Sequence, residues 1–148
     1  MIVTTARDYT KAINWTYTIL EHAKRHSKDP NTKVAAAVLR PDWSLVSMGY
    51  NGMPMGVPDD DANWERPRKY DLVIHAEANA FRFAREDLSG HTLVCNLFPC
   101  HRCAGEIVQH KLARIFYKEN PRLDHNSELA MYILKKSTVQ LIQVTMPD

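Results

Sequence analysis

A chain of 148 residues, 45% hydrophobic and 24% charged, has the composition of one ordinary globular domain rather than of a disordered or fibrous protein. Its formal net charge is only +2, which argues against a general nucleic-acid-binding surface. Because the start lacks the features of a signal peptide and no apolar run is long enough to span a bilayer, we expect a single cytoplasmic domain over residues 1–148 with no membrane partner.

The first half of the chain predicts a helix, a hairpin and a loop. Apolar positions at helical spacing predict an amphipathic helix from Thr5 to about His26. Two apolar runs, 34–39 and 45–48, flank a turn-forming Pro-Asp pair and predict a β-hairpin. Residues 49–68 hold three of the five glycines and an acidic run, so we expect one long functional loop.

The second half alternates between helix and strand patterns. Helices are predicted from Ala76 to about Glu86, from Cys100 to about His110, and from an Asp124 cap to about Lys136. Strands are predicted at 93–95, 113–117 and 139–144. This alternation predicts a sheet covered by helices, the α/β class.

The three cysteines favour a metal site or buried thiols over a disulfide framework, because their number is odd and no export signal is recognised. Cys100 and Cys103 lie three apart on the first turn of one predicted helix, where both sulfurs can reach one point and thiolates are favoured. Cys95, in an apolar strand, is expected to be a core residue.

His75 opens a different predicted helix and can supply a third ligand if neighbouring parallel strands bring the two helix starts together. Three protein ligands leave one tetrahedral position of zinc open for a water that loses its proton near neutral pH. Glu77 can carry that proton to a ring nitrogen and help an amino group leave as ammonia. We therefore predict one catalytic Zn²⁺ ion held by His75, Cys100 and Cys103, with Glu77 as the catalytic residue.

Each motif taken separately is weak. Cys-x-x-Cys also occurs in redox pairs and in structural zinc sites, and His-x-Glu is common. A non-catalytic zinc module is therefore an alternative, in which the metal ties two helix starts together and the loop binds a partner or a regulatory nucleotide. Glu77 weighs against it, because a structural site has no use for a proton carrier.

Together, His-Ala-Glu at 75–77 and Pro-Cys-His-Arg-Cys at 99–103 match the signature of zinc nucleobase deaminases. Over most of its length the chain resembles the deoxycytidylate (dCMP) deaminase branch of the cytidine deaminase superfamily. Four stretches carry the resemblance: SKDPNTKV (27–34), GYNGMPMG (49–56), HAEANA (75–80) and FPCHRCA (98–104).

This resemblance implies a three-layer α/β/α cytidine-deaminase-like fold with a central mixed, mostly parallel sheet of about five strands. It also implies zinc-dependent hydrolytic deamination of dCMP to dUMP and ammonia, which feeds thymidylate synthesis. Near-neutral charge disfavours a base within a nucleic acid as the substrate. Cytidine, dCTP or a modified dCMP are alternative substrates for the same chemistry.

Substrate contacts follow from matching positions. By the resemblance, Asn51 would hydrogen-bond the deoxyribose and the backbone N–H of Ala76 would hold the pyrimidine carbonyl; a turn role is the alternative for Asn51. Ser27 and Lys28 are candidates for the phosphate, with a helix end bearing solvated charges as the alternative reading.

Members of this family often carry a regulatory nucleotide site, through which dCTP activates and dTTP inhibits the enzyme. They commonly assemble as hexamers. The resemblance therefore implies nucleotide effectors and a homo-oligomer. Two departures bear on substrate choice. Ala35 stands where the family usually has glycine, and residues 120–124 replace a Tyr-His-Asp element near the active site.

Overall fold

The computed structural model describes residues 2–121 and 123–147, in which six helices and five strands form one sheet with its covering helices. The helices are α1 (Ala6–His26), α2 (Asp61–Trp64), α3 (Arg68–Leu72), α4 (Ala76–Phe83), α5 (His101–Gln109) and α6 (His125–Lys136). The strands are β1 (Ala35–Leu39), β2 (Leu45–Tyr50), β3 (Thr92–Leu97), β4 (Arg114–Glu119) and β5 (Gln140–Gln143).

The sheet is mixed, in the order β2-β1-β3-β4-β5. Strand β1 pairs antiparallel with both β2 and β3, whereas β3, β4 and β5 pair in parallel. Four strands therefore run in one direction and β1 in the other, which confirms the mixed, mostly parallel sheet. The predicted hairpin is β1–β2, and its turn contains Trp43 in the left-handed region with φ of 71°.

Helices cover both faces of the sheet, because the central strands are apolar on both sides. Ala35, Ala37 and Leu39 of β1 pack toward α1, whereas Ala36 and Val38 pack into the core formed with α4, α5 and α6. All five residues are fully buried, as expected for a strand covered on both faces. The architecture is the predicted three-layer α/β/α sandwich.

Helix α1 begins and ends close to the predicted positions. Thr5 caps it, since its hydroxyl accepts from the Asp8 N–H and the Asp8 carboxylate accepts from the Thr5 N–H, a capping box. The chain becomes extended at Ser27, immediately after the helix. Among the described residues, no helix has both the length and the apolar character needed to cross a membrane.

The region predicted as one long loop is more ordered than expected. Residues 61–64 form helix α2, because the Asp60 carboxylate accepts from the Asn63 N–H and caps the turn. Helix α3 follows, and Gly52 pairs with Ile74 in an isolated antiparallel bridge. These contacts divide the region into short, anchored segments.

Helix α4 ends at Phe83, three residues before the predicted end at Glu86. Ala84 is extended, and its N–H bonds to the Phe81 carbonyl. Glu86 instead accepts hydrogen bonds from Arg40, at the end of the hairpin, with its carboxylate also in contact with His91. Tertiary contacts have therefore overridden the helix propensity of this segment.

Candidate metal and active site

The residues predicted from the sequence to hold a metal ion lie at the starts of helices α4 and α5. Cys100 follows strand β3 and caps α5, its sulfur accepting from the Cys103 N–H at 3.5 Å. His75 lies at the N-cap position of α4 without a side-chain capping bond, and the element directly before α4 is helix α3 rather than a strand. Ile74 is held instead by two hydrogen bonds with Gly52, just beyond the end of β2. The expectation that two neighbouring parallel strands position both motifs is therefore wrong for His75.

The three predicted metal ligands lie together. Nδ1 of His75 is 3.3 Å from Sγ of Cys100 and 3.5 Å from Sγ of Cys103. All three ligand atoms lie within 4.8 Å of one another. Tetrahedral zinc, with bonds of about 2.3 Å to sulfur and about 2.0 Å to nitrogen, separates such ligands by about 3.5 Å. The donor set and its spacing therefore fit a zinc ion.

The two cysteine side chains are linked by a hydrogen bond. A hydrogen bond from the Cys103 thiol, aided by His75, lowers the pKa of Cys100 to about 3. The same hydrogen bond and burial raise the pKa of Cys103, whereas the hydrogen bond with Cys100 raises the pKa of His75. Cys100 is therefore a thiolate at neutral pH, and binding a dication would release the Cys103 proton.

Glu77 lies in the first turn of α4, two residues after His75, and its side chain is buried. Burial raises the pKa of this carboxyl, opposed by the charge of His75. A hydrogen bond from the Cys103 thiol to the carboxylate also acts to lower this pKa, whereas the charge of Cys100 acts to raise it. A buried carboxyl with a raised pKa, beside a metal-binding cluster, is suited to take up and release a proton.

A cavity of about 230 Å³ opens beside this cluster. His75, Ala76, Glu77 and Cys100 contribute to its wall. The rest of the lining comes from four parts of the chain: residues 29–34 with Asn51, residues 66–73, residues 97–98, and residues 124–127. Ala76 lies in the first turn of α4, where a backbone N–H has no acceptor within the helix. The cavity thus joins the candidate metal site to a backbone donor.

Asn51 lines the cavity, but four hydrogen bonds occupy its side chain. Its carbonyl oxygen accepts from the Ser27 hydroxyl at 2.7 Å and the Val34 N–H at 2.9 Å. Its amide nitrogen donates to the Thr32 carbonyl at 2.9 Å and to Asp29 at 3.3 Å. Asn51 therefore holds the wall together, and its predicted bond to a deoxyribose stays a prediction.

Ser27 and Lys28, the predicted phosphate ligands, do not line the cavity. The Ser27 side chain is buried and its hydroxyl bonds to Asn51. The Lys28 side chain is 70% exposed and lies 3.8 Å from the Asp59 carboxylate. The cavity geometry gives this assignment no support.

Sequence reasoning missed a group of charged and aromatic residues in the same cavity. Arg66, Lys69 and Tyr70 line it. Arg66 falls in the predicted loop 49–68, whereas Lys69 and Tyr70 fall in residues for which the sequence predicted no element and which the structure places in α3. Asp29 lines it as well and forms an ion pair with Lys69. A pattern search has no signal for them, because their role depends on a contact 40 residues apart along the chain.

The structure also locates Cys95 and the two positions at which the sequence departs from the family pattern. Cys95 is fully buried in β3, which confirms its place in the core. Ala35 is buried in β1 and its N–H donates to Asn96. In the divergent stretch 120–124, Asp124 caps α6 and lines the cavity, whereas Arg122 lies outside the described residues.

A family model described as the cytidine and deoxycytidylate deaminase zinc-binding region matches residues 10–119. A probable deoxycytidylate deaminase from Caenorhabditis elegans is 36% identical over 131 residues, covering 82% of this chain and 64% of that protein. The deoxycytidylate deaminase of Homo sapiens is 34% identical over 117 residues, covering 74% and 66% of the two chains. The match thus spans just under two thirds of the length of these relatives.

The fold is also shared with a solved structure of dCMP deaminase from the cyanophage S-TIM5 in complex with dCMP and dUMP. The TM-score is 0.71 at 22% sequence identity, and the alignment covers 88% of this chain and 93% of that one. At this identity the likeness concerns the fold, and it agrees with the α/β/α sandwich described above.

Proposed function

Because the chain belongs to the cytidine and deoxycytidylate deaminase zinc-binding family, we propose that it hydrolyses dCMP to dUMP and ammonia. The observation that carries the proposal is the placement of Glu77. Its buried carboxyl lies on the cavity wall, in the same helical turn as His75 and next to the two cysteines. A structural zinc site would not need such a group there.

In this proposal His75, Cys100 and Cys103 hold a single zinc ion. Zinc bound by three protein ligands supplies a water acidic enough to act as a nucleophile at neutral pH. Glu77 takes a proton from the attacking water and delivers it to the ring nitrogen. The same carboxyl then helps the amino group leave as ammonia, so that dCMP and water give dUMP and ammonia.

The substrate contacts are proposed from the cavity wall. The Ala76 N–H holds the pyrimidine carbonyl, supported by its position in the first turn of α4 beside Glu77. Val73 and Phe98 provide apolar surface for the ring. Asn51 faces the sugar and keeps the backbone of residues 32–34 in place through its hydrogen bonds.

We also propose, from the family resemblance, that the protein forms a homo-oligomer, a hexamer in the related enzymes, and responds to dCTP and dTTP. The acidic loop Asp59–Asp61 with the buried Trp64 is the segment that resembles regulated members. A cytoplasmic location stays a prediction from the sequence.

Ammonia release by zinc-loaded protein tests the proposal, with dCMP, dCTP, deoxycytidine and cytidine offered separately. We expect dCMP to be preferred. A Glu77→Gln variant should keep one zinc per chain and lose activity by about 100-fold or more, because it cannot carry the proton. If zinc-loaded protein releases no ammonia from any of the four compounds, the catalytic proposal fails and the non-catalytic zinc module takes its place.

A further inference from the structure

We propose that Arg66 binds the phosphate of the substrate and thereby makes the cavity selective for a 5′-monophosphate over the corresponding nucleoside. The proposal deepens the proposed function and rests on it. It replaces Ser27 and Lys28 with a residue that lines the cavity.

Arg66 lines the same cavity as His75, Glu77 and Cys100. Arg66, Lys69, Tyr70 and Val73 all line it. Lys69 and Tyr70 lie in α3, whereas Arg66 comes directly before Pro67, the residue that precedes the helix, and Val73 comes directly after the helix. The chain continues from Val73 to His75 within the same wall. One continuous segment therefore carries both Arg66 and His75, one of the three predicted metal ligands, along the same cavity.

The charges in the cavity leave Arg66 as the cation suited to a phosphate. Lys69 is buried and bonds both carboxylate oxygens of Asp29, at 3.1 and 3.0 Å, so its charge is already matched. His75 is engaged with the two cysteine sulfurs. Arg66 lines the same cavity. None of the ion pairs among the described residues includes it.

The surroundings of Arg66 suit a doubly charged group. Its guanidinium carbon is 6.0 Å from the ring centre of Tyr70, so the aromatic face restricts the arginine without using its N–H groups. Arg66 and Tyr70 are both exposed, so a phosphate bound there would keep part of its hydration. A guanidinium presents two parallel donors that match two phosphate oxygens.

The alternative cation, Lys28, is poorly placed for this role. It lies outside the cavity lining and close to Asp59, and it follows the end of α1, where a lysine is expected without any ligand. Because it is exposed, Lys28→Ala should fold normally and is a matched charge-removing control for Arg66→Ala.

The test compares kcat/KM for dCMP and deoxycytidine in the zinc-loaded wild type and in Arg66→Ala, Arg66→Lys and Lys28→Ala variants. Loss of a charge-assisted bidentate contact should lower kcat/KM for dCMP by about 10- to 100-fold. The value for deoxycytidine should not change, Arg66→Lys should be intermediate, and Lys28→Ala should match the wild type. An equal loss on both substrates in Arg66→Ala, or a loss on dCMP in Lys28→Ala alone, would overturn the proposal.

Binding of the product dUMP, measured by calorimetry, separates this proposal from the proposed chemistry. If the wild type binds dUMP but has no activity, a weaker affinity in Arg66→Ala still supports phosphate recognition while deamination fails. Unchanged dUMP affinity in Arg66→Ala rejects the role of Arg66 whether or not the protein is active. The role of Arg66 is also rejected if the wild type binds no dUMP, or if its kcat/KM for deoxycytidine equals that for dCMP.

Discussion

Asp29 and Lys69 form the most enclosed ion pair among the described residues. Their side chains are 3% and 6% exposed, and two bonds of 3.0 and 3.1 Å join them. Asp29 also accepts from the N–H groups of Asn31 and Thr32. The pair ties helix α3 to the segment that follows α1, so it joins two parts of the cavity wall.

Lys69→Met should destabilise the protein by about 3 kcal/mol, because it leaves the Asp29 carboxylate buried without its counterion. A matched double variant, Asp29→Asn with Lys69→Met, removes both charges and should recover a substantial part of that loss. Urea denaturation of the single and double variants measures the coupling between the two residues. Additive effects would show that the ion pair has no energetic coupling.

The effect of Lys69→Met should depend on pH. Burial acts to raise the pKa of Asp29, but hydrogen bonds from Asn31, Thr32 and Lys69 outweigh it, so the pKa lies below the ordinary 3.8. A depressed carboxyl pKa stabilises the fold above the unfolded pKa and loses that effect as pH falls through the folded value. Lys69→Met should therefore lower the free energy of unfolding most near neutral pH, and less below about pH 4, where Asp29 becomes protonated.

Packing of β2 against α4 holds the first motif in place. Gly49 in β2 lies against the backbone of α4, and a Cβ there would be 2.5 Å from the Ala76 carbonyl oxygen and 2.8 Å from Cβ of Asn79. Asn79 in turn donates to the Tyr50 carbonyl at 2.9 Å. The position of His75, Ala76 and Glu77 thus depends on a close approach between a strand and a helix.

Gly49→Ala should destabilise the fold by about 1 to 3 kcal/mol, because the added methyl group forces β2 and α4 apart. The same displacement should lower the proposed deaminase activity, since α4 carries Glu77. Gly105→Ala in α5 is the matched control. Apart from its chain neighbours and the backbone of its own helix, no heavy atom of the described residues lies within 4 Å of its added Cβ. Helix propensity should make Gly105→Ala up to about 1 kcal/mol more stable. Thermal unfolding that leaves Gly49→Ala unchanged would contradict the close contact.

On the scale of the whole molecule, the metal site joins parts of the chain that are distant in sequence. His75 starts the helix that packs on β2 and β1, whereas Cys100 and Cys103 start the helix that packs on α6. A ligand that binds only the folded chain stabilises it by mass action. Zinc should therefore stabilise the entire fold, in addition to its role in the proposed reaction.

Free zinc at about 100 times its Kd should stabilise the protein by about 2.7 kcal/mol relative to protein in chelator, which raises Tm. Cys100→Ala and Cys103→Ala should lose this zinc-dependent rise. Cys95→Ala is the control, since this thiol lies in the core outside the cluster, and it should keep the rise. Thermal unfolding with and without chelator is the measurement, and loss of the rise in Cys95→Ala would contradict the ligand set.

Local patterns in the sequence were enough to predict most helices and strands, and the residue types of the metal cluster. Helix caps such as Asp124 and the apolar run of β1 depend on neighbours a few residues apart. The spacing of Cys100 and Cys103 on one helical turn is local as well. The alternation of strands and helices then restricts the fold to a helix-covered sheet.

Only the tertiary structure decided which other polar residues face the cavity. Ser27 looked like a phosphate ligand, yet its hydroxyl is bonded to Asn51, 24 residues away. Arg66 lies in the predicted loop 49–68 and Lys69 just after it, where the sequence predicted no element, and only folding brings them to the cavity wall. The physical reason is that sequence patterns record which face of an element is apolar, whereas the partners of a polar side chain depend on chain segments that meet only in the folded protein.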